Sequence, residues 1–227
     1  MTQKTQVISV VQEKGGAGKT TWLCTLAALM AEDGAKVFAI DTDERKHLSR
    51  WLEKDKTAID WTFEDNDELI GPTVRKLKKN DPPYDAIIID TAGYKSATAI
   101  YAVQASDIVF IPCMPDEDSA KDAMKTYKHI LNVAENAEKD IQALVVMMDT
   151  DPRANITASI TDALDAMKIP RLKAMCNHLT GFKEMKSTGK APDGAARAAG
   201  RSVLAELQRN ELISFYGKGG TWERKSA

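Results

Sequence analysis

Apolar runs and helical patterns alternate along the whole chain. Mostly apolar runs predict buried strands at 7–12, 36–40, 84–90, 107–112, 141–148 and 169–175. Apolar residues at helical spacing predict helices at 22–32, 47–54, 69–79, 96–105, 116–135 and 156–167, and 64–83 is expected to be solvated helix and loop. This alternation is typical of a three-layer α/β/α domain with a mainly parallel sheet. We expect one domain over residues 1–227.

A glycine-rich stretch joins the first predicted strand to the first predicted helix. It reads Lys14-Gly15-Gly16-Ala17-Gly18-Lys19-Thr20-Thr21. Because glycine has no β-carbon, the backbone can curl with its N–H groups around a phosphate, and the helix N-terminus adds partial positive charge. In such a phosphate-binding loop (P-loop), Lys19 reaches the β- and γ-phosphates and the Thr20 hydroxyl holds Mg²⁺. The alternative is a glycine-rich turn whose lysines are only solvated.

Carboxylates follow two more of the predicted strands. Asp41 and Asp43 come after the second strand, and Asp90 ends the third. Parallel sheets bind ligands at the edge formed by the carboxyl ends of their strands. We therefore expect Asp90 to hold Mg²⁺ directly or through water, and the Gly93 amide to face the γ-phosphate. Asp41 and Asp43 are at the same edge and could contact the ligand there, or they could instead cap the next helix.

The residues at 14–21 resemble the deviant Walker A ATPases of the ParA/MinD group, whose loop reads K-G-G-x-G-K-[ST]-[ST]. The resemblance implies a P-loop NTPase fold and an ATP-dependent homodimer in which Lys14 contacts the phosphates bound by the other subunit. It also implies that Asp41 lies near Mg²⁺, that Asp43 orients the attacking water, and that Pro115 shapes the nucleotide pocket. The predicted nucleotide-binding residues are Gly15, Gly16, Ala17, Gly18, Lys19, Thr20, Thr21, Asp41, Gly93 and Pro115, and the metal-binding residues are Thr20, Asp41 and Asp90.

Two departures from the family pattern affect the loops around this site. Glu13 stands where the common P-loop has its first glycine, and Glu44 and Arg45 stand where this family often has Pro and Gln after the second aspartate. Because of these differences, the family pattern does not predict the details of the loop after Asp43. It still predicts the roles of Asp41 and Asp43. No N-K-x-D guanine signature occurs in the sequence, which favours ATP over GTP.

Composition excludes several other classes of protein. Apolar residues make up 43% and charged residues 28%, as in an ordinary globular protein, and no apolar run reaches the about 18 residues of a membrane span. The first predicted strand begins too early to leave room for a signal peptide. Cys24, Cys113 and Cys176 are far apart, which indicates reduced thiols in a cytoplasmic protein and argues against an iron–sulfur cluster.

The net charge of −2 hides an asymmetry between the two parts of the chain. Residues 171–227 carry eleven Lys and Arg against five Asp and Glu. This region resembles the C-terminal part of small ParA proteins, where basic residues bind DNA without sequence preference; the alternative is a solvated basic face. The candidate DNA contacts are Lys183, Lys186, Lys190, Arg197, Arg201 and Arg209, the three arginines being spaced to share a helical face. The tail at 217–220 is expected to be flexible.

The resemblance implies a cytoplasmic, nucleoid-associated ATPase that uses ATP and Mg²⁺, pairs with a second copy, and segregates or positions cargo with a centromere-binding or adaptor protein. Three alternatives stay open. The segment 45–51 resembles ParA-like proteins that assist conjugative DNA transfer. A MinD-like membrane switch would need a C-terminal amphipathic helix, which the glycines after Phe215 do not favour, and stable membrane insertion is not expected. An ATP-dependent synthetase or reductase would need a substrate pocket or a cysteine cluster.

Overall fold

A computed structural model describes residues 5–54, 57–93, 96–213 and 215. The described residues contain one sheet of seven strands, in the order β3-β2-β4-β1-β5-β6-β7, and every pairing is parallel. The strands are β1 (Gln6–Val10), β2 (Val37–Asp41), β3 (Ile59–Phe63), β4 (Ala86–Asp90), β5 (Ile108–Cys113), β6 (Gln142–Thr150) and β7 (Cys176–Asn177). The central strands are fully buried because helices cover both of their faces.

The helices form the two outer layers. They are α1 (Lys19–Glu32), α2 (His47–Leu52), α3 (Ile70–Leu77), α4 (Ala97–Ala105), α5 (Glu117–Asn136), α6 (Asn155–Ala166), α7 (Thr180–Thr188) and α8 (Gly194–Arg209), with a 3₁₀ turn at Asp67–Leu69. One apolar cluster joins α1, α2, α7 and α8 to one face of the sheet, and two others join α3, α4, α5 and α6 to the opposite face. Alternate residues of β1 serve the two faces, since Ile8 and Val10 belong to the first cluster and Val7 to another. The three-layer α/β/α prediction is therefore confirmed.

Strand register brings the predicted site residues to one edge of the sheet. Asp90, at the end of β4, lies opposite Val10 of β1 on one side and Asp41 of β2 on the other. Thr42 strengthens this edge, since its backbone N–H and its hydroxyl both donate to the carbonyl of Asp90, at 3.1 and 2.7 Å. The P-loop and the two aspartate-bearing strands therefore converge by strand pairing alone.

The strand prediction was wrong at the two edges of the sheet. Strand β3 was not predicted, because its sequence IDWTF mixes polar and apolar residues and only Ile59 of it is buried. The predicted strand at 169–175 is reduced to a single bridge between Arg171 and Val145, and pairing resumes at Cys176. The predicted flexible tail at 217–220 lies outside the described residues. Among the described residues, no helix is both long and apolar enough to cross a bilayer.

Candidate nucleotide site

The P-loop runs from the end of β1 to the start of α1. Gly16 and Gly18 have φ angles of 79° and 95°, which glycine adopts without strain. A β-carbon at Gly15 or Gly16 would meet nothing within 4 Å, so this side of the loop faces open space. At Gly18 a β-carbon would lie 3.2 Å from the Met148 side chain, because β6 approaches the loop there. The loop is therefore packed on one side and open on the other.

Lys19 is the first residue of α1 and is 9% exposed. Its Nζ donates to the carbonyl of Gln12 at 3.0 Å, and burial is the main cause that lowers the pKa of Lys19, against the opposing effect of Asp90. Gln12 is itself fully buried and donates to the carbonyl of Pro112 at 3.1 Å, while its own side-chain carbonyl accepts from Thr126. Sequence reasoning missed this glutamine, which attaches the start of the loop to β5 and α5.

Thr20 and Asp90 are in direct contact. The Thr20 hydroxyl donates to Oδ2 of Asp90 at 2.7 Å. Burial raises the pKa of Asp90 to about 7, although the Thr20 bond and Lys19 oppose the shift. Within the described part of the chain, Oδ1 of Asp90 is buried without a hydrogen-bond partner. A buried, unpartnered carboxylate oxygen beside a threonine hydroxyl fits the oxygen ligands that Mg²⁺ takes together with phosphate groups.

Asp41 and Asp43 organise the segment that leads into α2. Oδ2 of Asp41 accepts from both the backbone N–H and the hydroxyl of Ser49, each at 2.7 Å, and Oδ1 accepts from the N–H of Asp43. Oδ1 of Asp43 accepts from the N–H of Arg45 at 2.9 Å. Asp41 therefore holds an N–H in the first turn of α2, as the capping alternative expected, whereas Asp43 holds the turn that precedes this helix and also lines the open cavity.

Lys14 bonds to residues of its own chain. Its Nζ lies 3.0 and 3.1 Å from the two carboxylate oxygens of Asp116 and donates to the Ser119 hydroxyl at 2.9 Å. Asp116 is also the N-cap of α5, since it accepts from the Ser119 backbone N–H at 2.8 Å. Burial alone would raise the pKa of Asp116, but hydrogen bonds from Ser119 and Lys14 lower it below the ordinary value.

Gly93 lies near the start of the P-loop, and Pro115 lies between β5 and α5; neither residue is in the lining of the cavity beside the loop. A β-carbon at Gly93 would lie 3.9 Å from the carbonyl of Glu13, so the turn after β4 approaches the start of the P-loop. Pro115 precedes the N-cap of α5, and its neighbour Met114 lines the cavity. Ala17 and Thr21 also line the cavity, although both are largely buried.

The open side of the P-loop leads into a cavity of about 730 Å³. This volume is within the range of small-molecule sites. At one end, Met148, Asp149 and Asn177 stand at the carboxyl ends of β6 and β7, and the Asn177 side-chain carbonyl accepts from the Thr150 hydroxyl. At the other end, the lining passes between α2 and α7. The cavity thus extends well beyond the loop in both directions.

The structure separates the six predicted DNA contacts into groups. Lys183 and Lys186 lie on α7 and line the cavity that contains the P-loop, and Lys190 is exposed just after that helix. Arg197 and Arg201 lie one turn apart on α8 and both bind Glu32 at the end of α1, and Arg201 also binds Asp33. Arg209 is exposed in the last turn of α8. DNA contact by these residues stays a prediction.

The roles of Gln12, Ser49 and Asp116 were missed by sequence reasoning, the first and the last because their partners are far away in the sequence. Asp116 acts on Lys14 across 102 positions of the chain, and Gln12 acts on Thr126 across 114. Ser49 does follow Asp41 closely, but a serine in a short helix is not a distinctive signal. Only the N-cap pattern of Asp116 and Ser119 was visible, and it predicts a helix start rather than a partner for Lys14.

The fold and the site together define a P-loop ATPase of the ParA/MinD type, as the loop motif predicted. Residues 5–191 match the sequence model of the family described as VirC1 protein. The chain belongs to this VirC1 family.

Individual similar proteins agree with this assignment. The chain is 26% identical over 193 residues to protein virC1 of Rhizobium radiobacter, with 81% of each chain covered. A Cyanothece McdA variant solved with ATP has a TM-score of 0.78 at 15% identity, and the match covers 95% of this chain and 100% of that one. The septum site-determining protein MinD of Pyrococcus horikoshii, solved with Mg-ADP, has a TM-score of 0.70 at 21% identity, with 92% and 97% covered.

Proposed function

We propose that this protein is an ATP-dependent molecular switch in which Mg-ATP joins two copies and hydrolysis separates them. The observation that carries the proposal is that Lys19 and Thr20 line the open cavity of the P-loop and that Thr20 donates to the buried Asp90 at 2.7 Å, one oxygen of which has no partner among the described residues. Of the two structural neighbours described above, the McdA variant was solved with ATP and the MinD with Mg-ADP.

Each residue of the site has a distinct role in this proposal. The ammonium of Lys19 balances the charge of the β- and γ-phosphates, and the Thr20 hydroxyl and the Asp90 carboxylate hold Mg²⁺. When bound, Mg-ATP supplies the γ-phosphoryl group that is transferred to water. Asp43 lines the cavity next to Lys19 and orients that water, while Asp41 holds the turn through Ser49. Gly93, beside the carbonyl of Glu13, is close enough to the loop to report the γ-phosphate.

Lys14 provides the link between copies. In the single chain its ammonium is neutralised by Asp116. In the ATP state, Lys14 leaves this partner and contacts the phosphates held by the second copy, as the resemblance implies. Without a γ-phosphate the facing lysines of two copies repel each other, so pairing depends on ATP. Hydrolysis in such a switch is slow and is stimulated by a partner protein.

The paired form serves partition or positioning of cargo. Pairing doubles the basic surface that carries Lys183, Lys186 and Lys190, so DNA binding without sequence preference gains from multivalency. The protein would act in the cytoplasm on the nucleoid, with a centromere-binding or cargo adaptor protein as its partner. Membership of the VirC1 family favours a second candidate, an accessory ATPase of conjugative DNA transfer, in which the same cycle acts on a DNA-processing complex.

The decisive experiment measures pairing in a saturating non-hydrolysable ATP analogue with Mg²⁺ by analytical ultracentrifugation. Lys14→Ala should bind nucleotide as a monomer and fail to pair. Lys125→Ala is the matched control, because Lys125 forms an exposed ion pair with Asp122 on α5, and it should pair as the wild type does. A wild-type protein that stays monomeric, or a Lys14→Ala variant that pairs normally, would overturn the switch.

A second pair of assays separates the DNA and membrane forms of the proposal. DNA retardation and liposome flotation are each run with and without ATP. ATP-dependent retardation without flotation supports the nucleoid-associated form. ATP-dependent flotation without retardation would favour a MinD-like membrane switch; most of its candidate segment, after Phe215, lies outside the described residues.

A further inference from the structure

A basic groove opens from the nucleotide cavity between α2 and α7. We name it the α2–α7 groove. Its lining side chains are Arg45, His47, Arg50, Lys54, Lys183 and Lys186. All six are exposed. Arg45 precedes α2, His47 and Arg50 belong to it, and Lys54 follows it. The last two residues belong to α7, so the fold brings together two basic segments that are far apart in the sequence. The acidic side chains in the same cavity are Glu13, Asp43 and Asp149.

The two walls of the groove are fastened to each other. The indole N–H of Trp51 donates to the carbonyl of Met185 at 3.1 Å. The Lys54 ammonium donates to the carbonyls of Lys186 and Ser187 at 2.6 and 2.8 Å, which places a cation at the C-terminal end of α7. The spacing between the basic residues of α2 and those of α7 is therefore fixed by the fold rather than by mobile side chains.

Four cations of the groove form no ion pair with any residue that the structure describes. They are Arg45, Arg50, Lys183 and Lys186. By contrast, Arg197 and Arg201 of α8, on the same face of the sheet, are paired with acidic side chains of α1. Charge at the groove is thus available to an anion, whereas the charge of these two α8 arginines is already compensated.

The form of the groove indicates which anion it accepts. Its free cations are spread over two elements and are open to solvent, which suits a chain of phosphates better than one small anion. The large aromatic rings of the lining, Trp51 and Phe182, are 2% and 7% exposed, so stacking on unpaired bases is limited to the smaller imidazole of His47. Cations with so little stacking surface beside them contact phosphates and do not read sequence.

We propose that the α2–α7 groove binds the phosphate backbone of duplex DNA, with Arg45 and Arg50 contributing alongside Lys183 and Lys186. This inference rests on the DNA binding of the proposed function and names the interface. It adds two arginines that lie outside the basic C-terminal region, and it assigns a smaller contribution to Arg197 and Arg201.

The test uses the full-length protein with a non-hydrolysable ATP analogue, Mg²⁺ and a fluorescent duplex of arbitrary sequence. Fluorescence anisotropy at several salt concentrations gives both the affinity and its salt dependence. Each phosphate contact contributes about 0.9 to the slope of log K against log salt. Because the ATP-bound pair carries two grooves, each substitution removes two phosphate contacts. Arg50→Gln should therefore weaken binding severalfold and lower the slope by about 1.8, and Arg50→Gln with Lys183→Gln should lower it by about 3.6. Lys121→Gln removes an exposed cation from α5, on the opposite face of the sheet, and should change neither quantity.

The outcomes distinguish this proposal from the proposed function. If the wild type pairs with ATP but binds no DNA, the DNA role itself fails. If the wild type binds DNA and the double variant binds it with unchanged affinity and slope, only the groove proposal fails. A loss of DNA affinity in Arg197→Gln and Arg201→Gln, without such a loss in the groove variants, would also overturn the groove proposal. Binding of the groove to vesicles containing phosphatidylglycerol, without binding to DNA, would overturn it in favour of a lipid surface.

Discussion

The ion pair between Lys14 and Asp116 leads to a quantitative prediction about pairing. In the proposed switch, Lys14 must leave Asp116 before it can reach the second copy. Asp116→Asn removes the negative charge that holds Lys14. Asparagine is as good an N-cap as aspartate, so the bond to the Ser119 backbone N–H and the start of α5 should be kept. The substitution therefore weakens one contact of Lys14 without removing the helix cap.

The magnitude follows from the exposure of the pair. The side chains of Lys14 and Asp116 are 37% and 45% exposed, so solvent screens their attraction to about 0.5–1 kcal/mol. Two such pairs are broken when two copies join. Asp116→Asn should therefore favour the ATP-bound pair by about 1–2 kcal/mol, which corresponds to about 5- to 30-fold in the dissociation constant.

Sedimentation equilibrium in a non-hydrolysable ATP analogue with Mg²⁺ measures this constant directly. Asp122→Asn is the matched control, because it breaks an exposed lysine–aspartate pair on the same helix and should leave pairing unchanged. In a Lys14→Ala background, Asp116→Asn should have no effect, since the lysine it releases is absent. Pairing equal to or weaker than that of the wild type in Asp116→Asn would refute the idea that this ion pair restrains Lys14.

Three further predictions concern other parts of the fold. Asp43→Ala should trap an ATP-bound pair, so wild-type phosphate release in this variant would remove Asp43 from the mechanism. Gly200→Ala should destabilise the protein by about 1–3 kcal/mol in urea unfolding, because its β-carbon would lie 2.7 Å from Thr25 and 2.9 Å from Leu29; unchanged stability would mean that α8 moves away from α1 freely. Burial raises the pKa of Asp90 from 3.8 to about 7. Between these two pH values, the Asp90 carboxyl group is protonated in the native state but ionised in the unfolded chain. Without metal, the free energy of unfolding should include a loss of up to about 4 kcal/mol between about pH 4 and 7 that Asp90→Asn removes, and parallel pH profiles of the two proteins would contradict this.

The centre of the site could be predicted from the sequence because its signals are local. The P-loop lies between an apolar strand and a helix, and Asp41 and Asp90 each follow an apolar run. Parallel pairing then brings these strand ends together without further information. The sequence pattern was sufficient wherever a side chain acts on its own segment or on the edge of the sheet.

The remaining features depend on contacts between distant segments. Lys14 carries the family motif, but nothing near it in the sequence indicates that Asp116 binds it. The basic C-terminal residues looked equivalent, yet Lys183 lines the nucleotide cavity whereas Arg197 pairs with Glu32. Strand β3 was missed because an edge strand with one buried residue lacks a continuous apolar run. In each case the decisive partner is set by packing, which a local pattern does not report.

The position of β1 at the middle of the sheet has a consequence for biosynthesis. The strand that leads into the P-loop is synthesised before both of its neighbours, β4 and β5. Until Ile108–Cys113 has been made, one edge of β1 has no partner, and Gln12 lacks the strand that holds it. The nucleotide site therefore cannot be completed during synthesis until the chain has been made at least as far as Cys113.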